Sequence, residues 1–183
     1  MQFEEGYVIA REWSAISVGR DITSECVIEL SSAKPGYGTR QLLSRDEKEY
    51  WQSCGEAPHC LEIRPAAGRT EVLALAFLCD YEQDESYTPL HVSIECGSDE
   101  ESLELVHAHV QLDDPTGWVL FRLPDRIKLR MLRLTVHDLY LNGRDVHIRG
   151  VKVLAARSKQ QQEEARLGHS CAVRAASRRR MMR

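Results

Sequence analysis

The chain has 183 residues, 43% hydrophobic and 28% charged, with a net charge of −4. That length holds one domain with a packed core plus a tail, and no apolar run approaches the roughly 20 residues a membrane-spanning helix needs. The acidic start, Met1-Gln2-Phe3-Glu4-Glu5, lacks the basic and apolar regions of a secretory signal, so the six cysteines are expected to stay reduced in cytosol or nucleus.

Residues 1–20 read as an N-terminal extension, and 21–156 as the folded domain. Lys34-Pro35-Gly36-Tyr37-Gly38 is a tight loop, since proline fixes one φ and glycine accepts positive φ. Short helices are expected around Thr39 to Tyr50. Trp51 is a core candidate, a ring that would bury on the order of 200 Å² at one end of the fold. The apolar run from Val72 to Cys79 predicts a strand covered on both faces or central in its sheet. Period-two patterns follow in Val92-x-Ile94-x-Cys96, Val106-x-Ala108-x-Val110, Leu132-x-Leu134-x-Val136 and Val151-x-Val153, with a further strand from Trp118 to Leu123. Turn residues separate them at Ala67-Gly68, Cys96-Gly97-Ser98-Asp99, Asp114-Pro115-Thr116-Gly117 and Asn142-Gly143. Many short strands between turns predict an all-β sandwich or jelly roll with a few short helices.

After Leu154 the pattern stops. Residues 157–183 hold eight Lys/Arg against two Glu, a surplus of six positive charges, which leaves −10 on the first 156 residues. This composition predicts a disordered basic tail on an acidic body. A nucleic-acid-binding fold would carry its positive stripe on the folded surface, so nucleic acid is not an expected partner.

Candidate chemistry is sparse. Asp84-Glu85-Ser86-Tyr87-Thr88-Pro89 reads as an acidic surface loop whose neighbouring hydroxyls suit a peptide backbone. Asn142-Gly143 predicts a type I′ hairpin turn. Beyond it, alternation puts Asp145 and His147 on one face and sends Val146 and Ile148 to the core. His107-x-His109 and His137-Asp138, with Asp145 and His147, form no compact three-ligand motif, and no Cys-x-x-Cys occurs, so neither metal nor cofactor is expected. No Gly-x-Ser-x-Gly elbow is present, and Cys54 and Cys60 lack an identifiable base.

Four segments in order resemble the Doc domain, the family of subunit ten of the anaphase-promoting complex. They are Ser31-Ser32-Ala33-Lys34-Pro35-Gly36-Tyr37-Gly38 with Gln41-Leu42; Tyr50-Trp51-Gln52-Ser53 with Pro58-His59; Asp80-Tyr81 with Asp84-Glu85-Ser86-Tyr87-Thr88-Pro89; and Asn142-Gly143-Arg144-Asp145-Val146-His147-Ile148-Arg149. Pro115-x-Gly117-Trp118 adds a fifth. The resemblance implies a galactose-binding-like jelly roll, no catalysis, and a ligand surface on the loops at one end. It implies that Ser86, Tyr87, Asn142, Asp145 and His147 contact the destruction box, an Arg-x-x-Leu-type degron, jointly with a propeller-type coactivator. Val146 stands where a threonine is usual in the family. Family members end in Ile-Arg, which docks in a groove of a TPR subunit; Met182-Arg183 stands there in this chain. The resemblance implies other subunits of the complex as partners, a nuclear and cytoplasmic location, and no membrane. The alternatives are a glycan- or peptide-binding jelly roll serving another ubiquitin ligase or an unrelated pathway.

Overall fold

A computed structural model describes residues 6–16, 19–124 and 128–156; the basic tail, with Met182 and Arg183, lies outside the described residues. In chain order come β1 (Tyr7–Ala10), β2 (Arg20–Asp21), β3 (Cys26–Leu30), helix α1 (Thr39–Leu42), β4 (Trp51–Gln52), β5 (His59–Pro65) and β6 (Thr70–Asp80). Helix α2 (Tyr81–Asp84), β7 (Pro89–Gly97), β8 (Glu104–Gln111), β9 (Thr116–Arg122), β10 (Lys128–Leu129), β11 (Met131–Leu139), β12 (His147–Ile148) and β13 (Gly150–Ala155) follow. One antiparallel sheet runs β1-β9-β6-β13-β2, with β10 also on β6; the other runs β3-β5-β11-β7-β8; β12 and β4 form a separate ribbon.

Alternation decides which side chains meet. Leu61 and Ile63 of β5, Ile94 of β7, and Leu132 and Leu134 of β11 face Leu75 and Phe77 of β6, Val119 and Phe121 of β9, and Val151 and Val153 of β13 in one core. All are essentially removed from solvent. Each such side chain contributes roughly 1.5–3 kcal/mol of hydrophobic stabilisation. The alternating runs at Val92–Cys96, Leu132–Val136 and Val151–Val153 are therefore inward faces of the sandwich, whereas in β8 Val106 and Val110 pack against the core but Ala108 is exposed, because the register shifts there and His109 takes a positive φ of 46°.

The continuous apolar run of β6 has a specific cause. Leu75, Phe77 and Cys79 point into the main core, whereas Ala74, Ala76 and Leu78 form a second cluster with Trp118, Leu120 and Leu154. Trp13 and Ile16 pack over that second cluster. The described residues of the segment read as an N-terminal extension, 6–16 and 19–20, thus pack onto the sandwich. Tyr7–Ala10 pairs antiparallel with β9, from Tyr7 opposite Phe121 to Ala10 opposite Trp118, and Arg20 pairs with Ala155. Its apolar residues are too few to show a period, so only the apolar outer face of β6 that they help bury reveals their place in the fold.

Helix α1 occupies the start of the expected helical stretch and ends at Leu42, which is buried. Trp51 closes one end of the core: it is 0% exposed, and its indole N–H donates to the Ser32 carbonyl at 2.8 Å. Trp51→Ala is expected to cost about 3–5 kcal/mol from the cavity it leaves. The midpoint shift in urea unfolding, at unchanged m-value, measures it.

Candidate functional site

Four loops converge at the end of the sandwich carrying the β4–β12 ribbon. Ser53 N–H donates to the Val146 carbonyl at 3.1 Å, and Val146 N–H donates back to Ser53 Oγ at 2.8 Å. Lys34 N–H reaches the Gln52 carbonyl at 2.9 Å, and Gln52 N–H reaches the Tyr37 carbonyl at 3.0 Å. In the ribbon, His147 lies opposite Gln52 and Ile148 opposite Trp51. The Gly-rich loop, the Trp51 segment and the Asp145–His147 segment are therefore one hydrogen-bonded unit.

The floor of this end is a buried ionic cluster. Asp84 is 5% exposed, His147 7% and Arg149 7%. Asp84 Oδ2 accepts from Arg149 Nε at 2.8 Å, and Oδ1 accepts from Arg149 Nη2 at 2.7 Å and faces His147 Nδ1 at 2.9 Å. Arg149 Nη1 also donates to the Glu47 carbonyl at 3.0 Å. Burial pushes the Asp84 carboxyl up, but the hydrogen bonds from His147 and Arg149 and the guanidinium charge outweigh it, leaving the carboxyl below its ordinary range.

Above the floor stands a stack of rings. His147 lies between Tyr50 and Tyr87, each with its centroid 4.1 Å away, and Tyr37 stacks on the other side of Tyr50 at 5.2 Å. Arg149 approaches the Tyr50 ring at 5.3 Å, a cation–π geometry. His147 Nε2 is buried without a hydrogen-bond partner. Asp145 accepts from Lys34 Nζ at 2.5 Å, from Gly55 N–H at 3.1 Å and from Gln52 Nε2 at 3.5 Å.

The five expected contact residues thus fall in one region but separate into two kinds. Asn142 and Tyr87 are exposed and Ser86 is half-buried. His147 is buried in the ring stack, and Asp145 is spent on Lys34 and the Gly55 N–H, so both brace the loops rather than project from them. Val146 and Ile148 are fully buried, as alternation requires.

Two local readings are corrected. Asn142-Gly143 is not a hairpin turn: positive φ falls one residue earlier, at Leu141 (52°) and Asn142 (56°). The chain beyond it pairs with β4, not β11. Gly143 has an ordinary negative φ of −61°, and its glycine identity is required by packing, because a Cβ there would lie 1.6 Å from the Ser86 carbonyl oxygen. The 84–89 loop is not wholly an acidic surface loop either, since Asp84 is its buried anchor.

Sequence reading overlooked Asp84, Arg149 and Tyr50 as parts of the site. Arg149 was within reach, because the alternation that pairs Asp145 with His147 continues to it. The partnership with Asp84 spans 65 positions, and no local pattern encodes it. The histidines considered for metal do not converge on one point: His109 and His137 lie with tilted rings 4.5 Å apart and His137 Nε2 meets Ser93 Oγ at 2.8 Å, while His107 meets the Arg122 carbonyl and His147 meets Asp84. Among the described residues, no group of three His, Cys, Asp or Glu side chains is placed to hold a metal ion.

The family described as "Anaphase-promoting complex, subunit 10 (APC10)" matches residues 5–180. Anaphase-promoting complex subunit 10 of Homo sapiens is 37% identical over 138 residues, covering 73% of this chain and 74% of the relative. The Drosophila melanogaster protein of that name is 36% identical, covering 74% and 71%. Subunit DOC1 of Saccharomyces cerevisiae is 26% identical, covering 78% and 59%. Among solved structures, CpGH89CBM32-5 from Clostridium perfringens superimposes with a TM-score of 0.63 at 12% identity, covering 74% of this chain and all of that one. The family 32 CBM of Clostridium perfringens NanJ gives 0.61 at 13% identity, covering 73% and 96%. The fold is a galactose-binding-like jelly roll.

The ionic floor makes stability depend on acid pH. A carboxyl depressed in the folded state contributes stability above its unfolded pKa of about 3.9, and that contribution disappears as pH falls through the folded value. Asp84→Asn leaves Arg149 buried without its counter-charge and is expected to cost about 3–5 kcal/mol at neutral pH. The variant should also show a smaller loss of stability on acidification below about pH 4 than the parent chain. Urea unfolding across pH 3–7 tests both.

Proposed function

The chain belongs to the anaphase-promoting complex subunit 10 family, and from that premise we propose that its loop end recognises the destruction box of ubiquitination substrates. The complex is a ubiquitin ligase, and this subunit is proposed to act in it without chemistry of its own. It would hold the degron jointly with a propeller-type coactivator and so prolong substrate residence during ubiquitin transfer. The observation that carries the reading is the division at the loop end. Ser86, Tyr87 and Asn142 project from two adjoining turns, while Asp84, Asp145, His147 and Arg149 hold those turns in place through buried ionic and stacking contacts. A rigid floor under exposed polar groups lowers the ordering cost of binding an extended peptide.

A glycan-binding reading draws on the fold alone. The two superimposed Clostridium perfringens structures carry GalNAc-β-1,3-galactose and galactose. Saturation by galactose of a chain that ignores degron peptides would favour it.

The C-terminal Met182-Arg183 is proposed as a separate anchor in a TPR subunit, with methionine in an aliphatic pocket and the guanidinium on a carboxylate. Such a contact is weak alone and gains strength through effective concentration once the domain docks. A nuclear and cytoplasmic location accompanies this role.

Three outcomes are expected. Ser86→Ala combined with Asn142→Ala should leave stability within about 0.5 kcal/mol while reducing degron-dependent ubiquitination by the reconstituted complex. His147→Ala should lower both, because it removes the centre of the ring stack; equal melting midpoints for His147→Ala and the parent chain would contradict its bracing role. Adding residues after Arg183 should loosen assembly into the complex in pull-downs while leaving the melting curve unchanged. Wild-type assembly of the extended chain would remove the anchor.

A further inference from the structure

The turn Tyr140–Asn142 presents a leucine at a conformational cost with no return inside the chain. Tyr140 is its anchor. Its ring packs on Tyr81 with centroids 4.5 Å apart, and its hydroxyl donates to the Leu112 carbonyl and accepts from Asp114 N–H at 2.9 Å. Its N–H donates to the Thr88 carbonyl at 3.0 Å. On the other side Gly143 sits against the Ser86 carbonyl. Between these fixed points Leu141 adopts φ 52°, ψ 30°, the left-handed region where a Cβ crowds the backbone and where glycine or asparagine is the ordinary choice.

Leu141 is nevertheless 67% exposed, the most exposed large apolar side chain among those described. It buries little against the fold that would offset the strain, and strained exposed side chains cluster at binding surfaces. The adjoining turn carries Tyr87, 38% exposed, whose ring is held rigid by stacking on His147. Asn142 follows Leu141, and Ser86 precedes Tyr87.

We propose that Leu141, with Tyr87, is an apolar contact of the recognition surface and takes an aliphatic side chain of the bound degron peptide beside the polar groups of Ser86 and Asn142. The inference rests on the degron reading and deepens it by naming a specificity-determining residue. Leucine at 141 favours a peptide with an aliphatic residue at the position meeting this turn, because burying a CH₂-rich surface against a charged or small side chain returns less.

The experiment exploits the left-handed conformation. Leu141→Asn and Leu141→Gly suit it better than leucine, so a purely structural residue would melt at the same or a higher temperature with binding unchanged. The full chain is assembled into the complex with its coactivator and titrated with a fluorescent cyclin destruction-box fragment. Leu141→Asn should bind roughly tenfold more weakly, the loss expected for one buried aliphatic contact, with an equal or raised melting midpoint. Leu141→Met should stay within about twofold, since it conserves apolar volume. Wild-type affinity in Leu141→Asn overturns the proposal, as does a lowered midpoint in both Leu141→Asn and Leu141→Gly. The Ser86→Ala, Asn142→Ala pair separates the causes. If that pair weakens binding and Leu141→Asn does not, only the leucine contact fails; if neither does, the degron reading fails with it.

Discussion

The loop end depends on one carboxylate. Asp84 closes the short helix that follows β6, and its two oxygens receive Arg149 and His147, which flank Ile148 at the junction of the β4–β12 ribbon and β13. Burying a charge is costly, and this one is tolerated because every strong partner is supplied at 2.7–2.9 Å. Removing Asp84 leaves Arg149 with only the Glu47 carbonyl and His147 without its carboxylate, both largely buried. The cluster therefore sets the relative position of two loops that are distant in sequence, and the ring stack on His147 passes that order to the surface.

The sandwich beneath supplies rigidity rather than chemistry. Its two sheets share one core, and the central strand β6 is covered on its outer face by Trp13, Ile16 and Trp118. Because β6 runs directly into helix α2, a strand buried on both sides holds Asp84 in place. Trp51 does the same from the opposite side, fixed by its hydrogen bond to Ser32 while its neighbours Tyr50 and Gln52 reach the site. Jelly rolls host many functions. What distinguishes this one is family membership together with two small turns, Glu85–Tyr87 and Tyr140–Asn142, that carry the exposed groups. Neither turn has room to shift: Gly143 already touches the Ser86 backbone, and Tyr140 is bonded at both its N–H and its hydroxyl.

The inward faces of the strands were determined by the sequence itself, because a period of two in apolar residues is a direct image of which side chains leave water. Leu132, Leu134 and Val136 had one physical solution, as did Val146 and Ile148 against Asp145 and His147. The candidate contact residues were also legible as a group, through short motifs in a fixed order. What the sequence could not determine is which polar residue faces solvent and which is consumed inside. Asp84 looked like its acidic neighbours, and His147 like an exposed contact, because burial of an ion is decided by a partner 65 positions away and leaves no local trace. The same holds for Gly143, whose role comes from the Ser86 backbone, and for Tyr7–Ala10, whose partner is β9. Local periodicity reports contacts with water; only tertiary structure decides contacts between distant segments, and at this loop end those contacts separate the floor of the site from its surface.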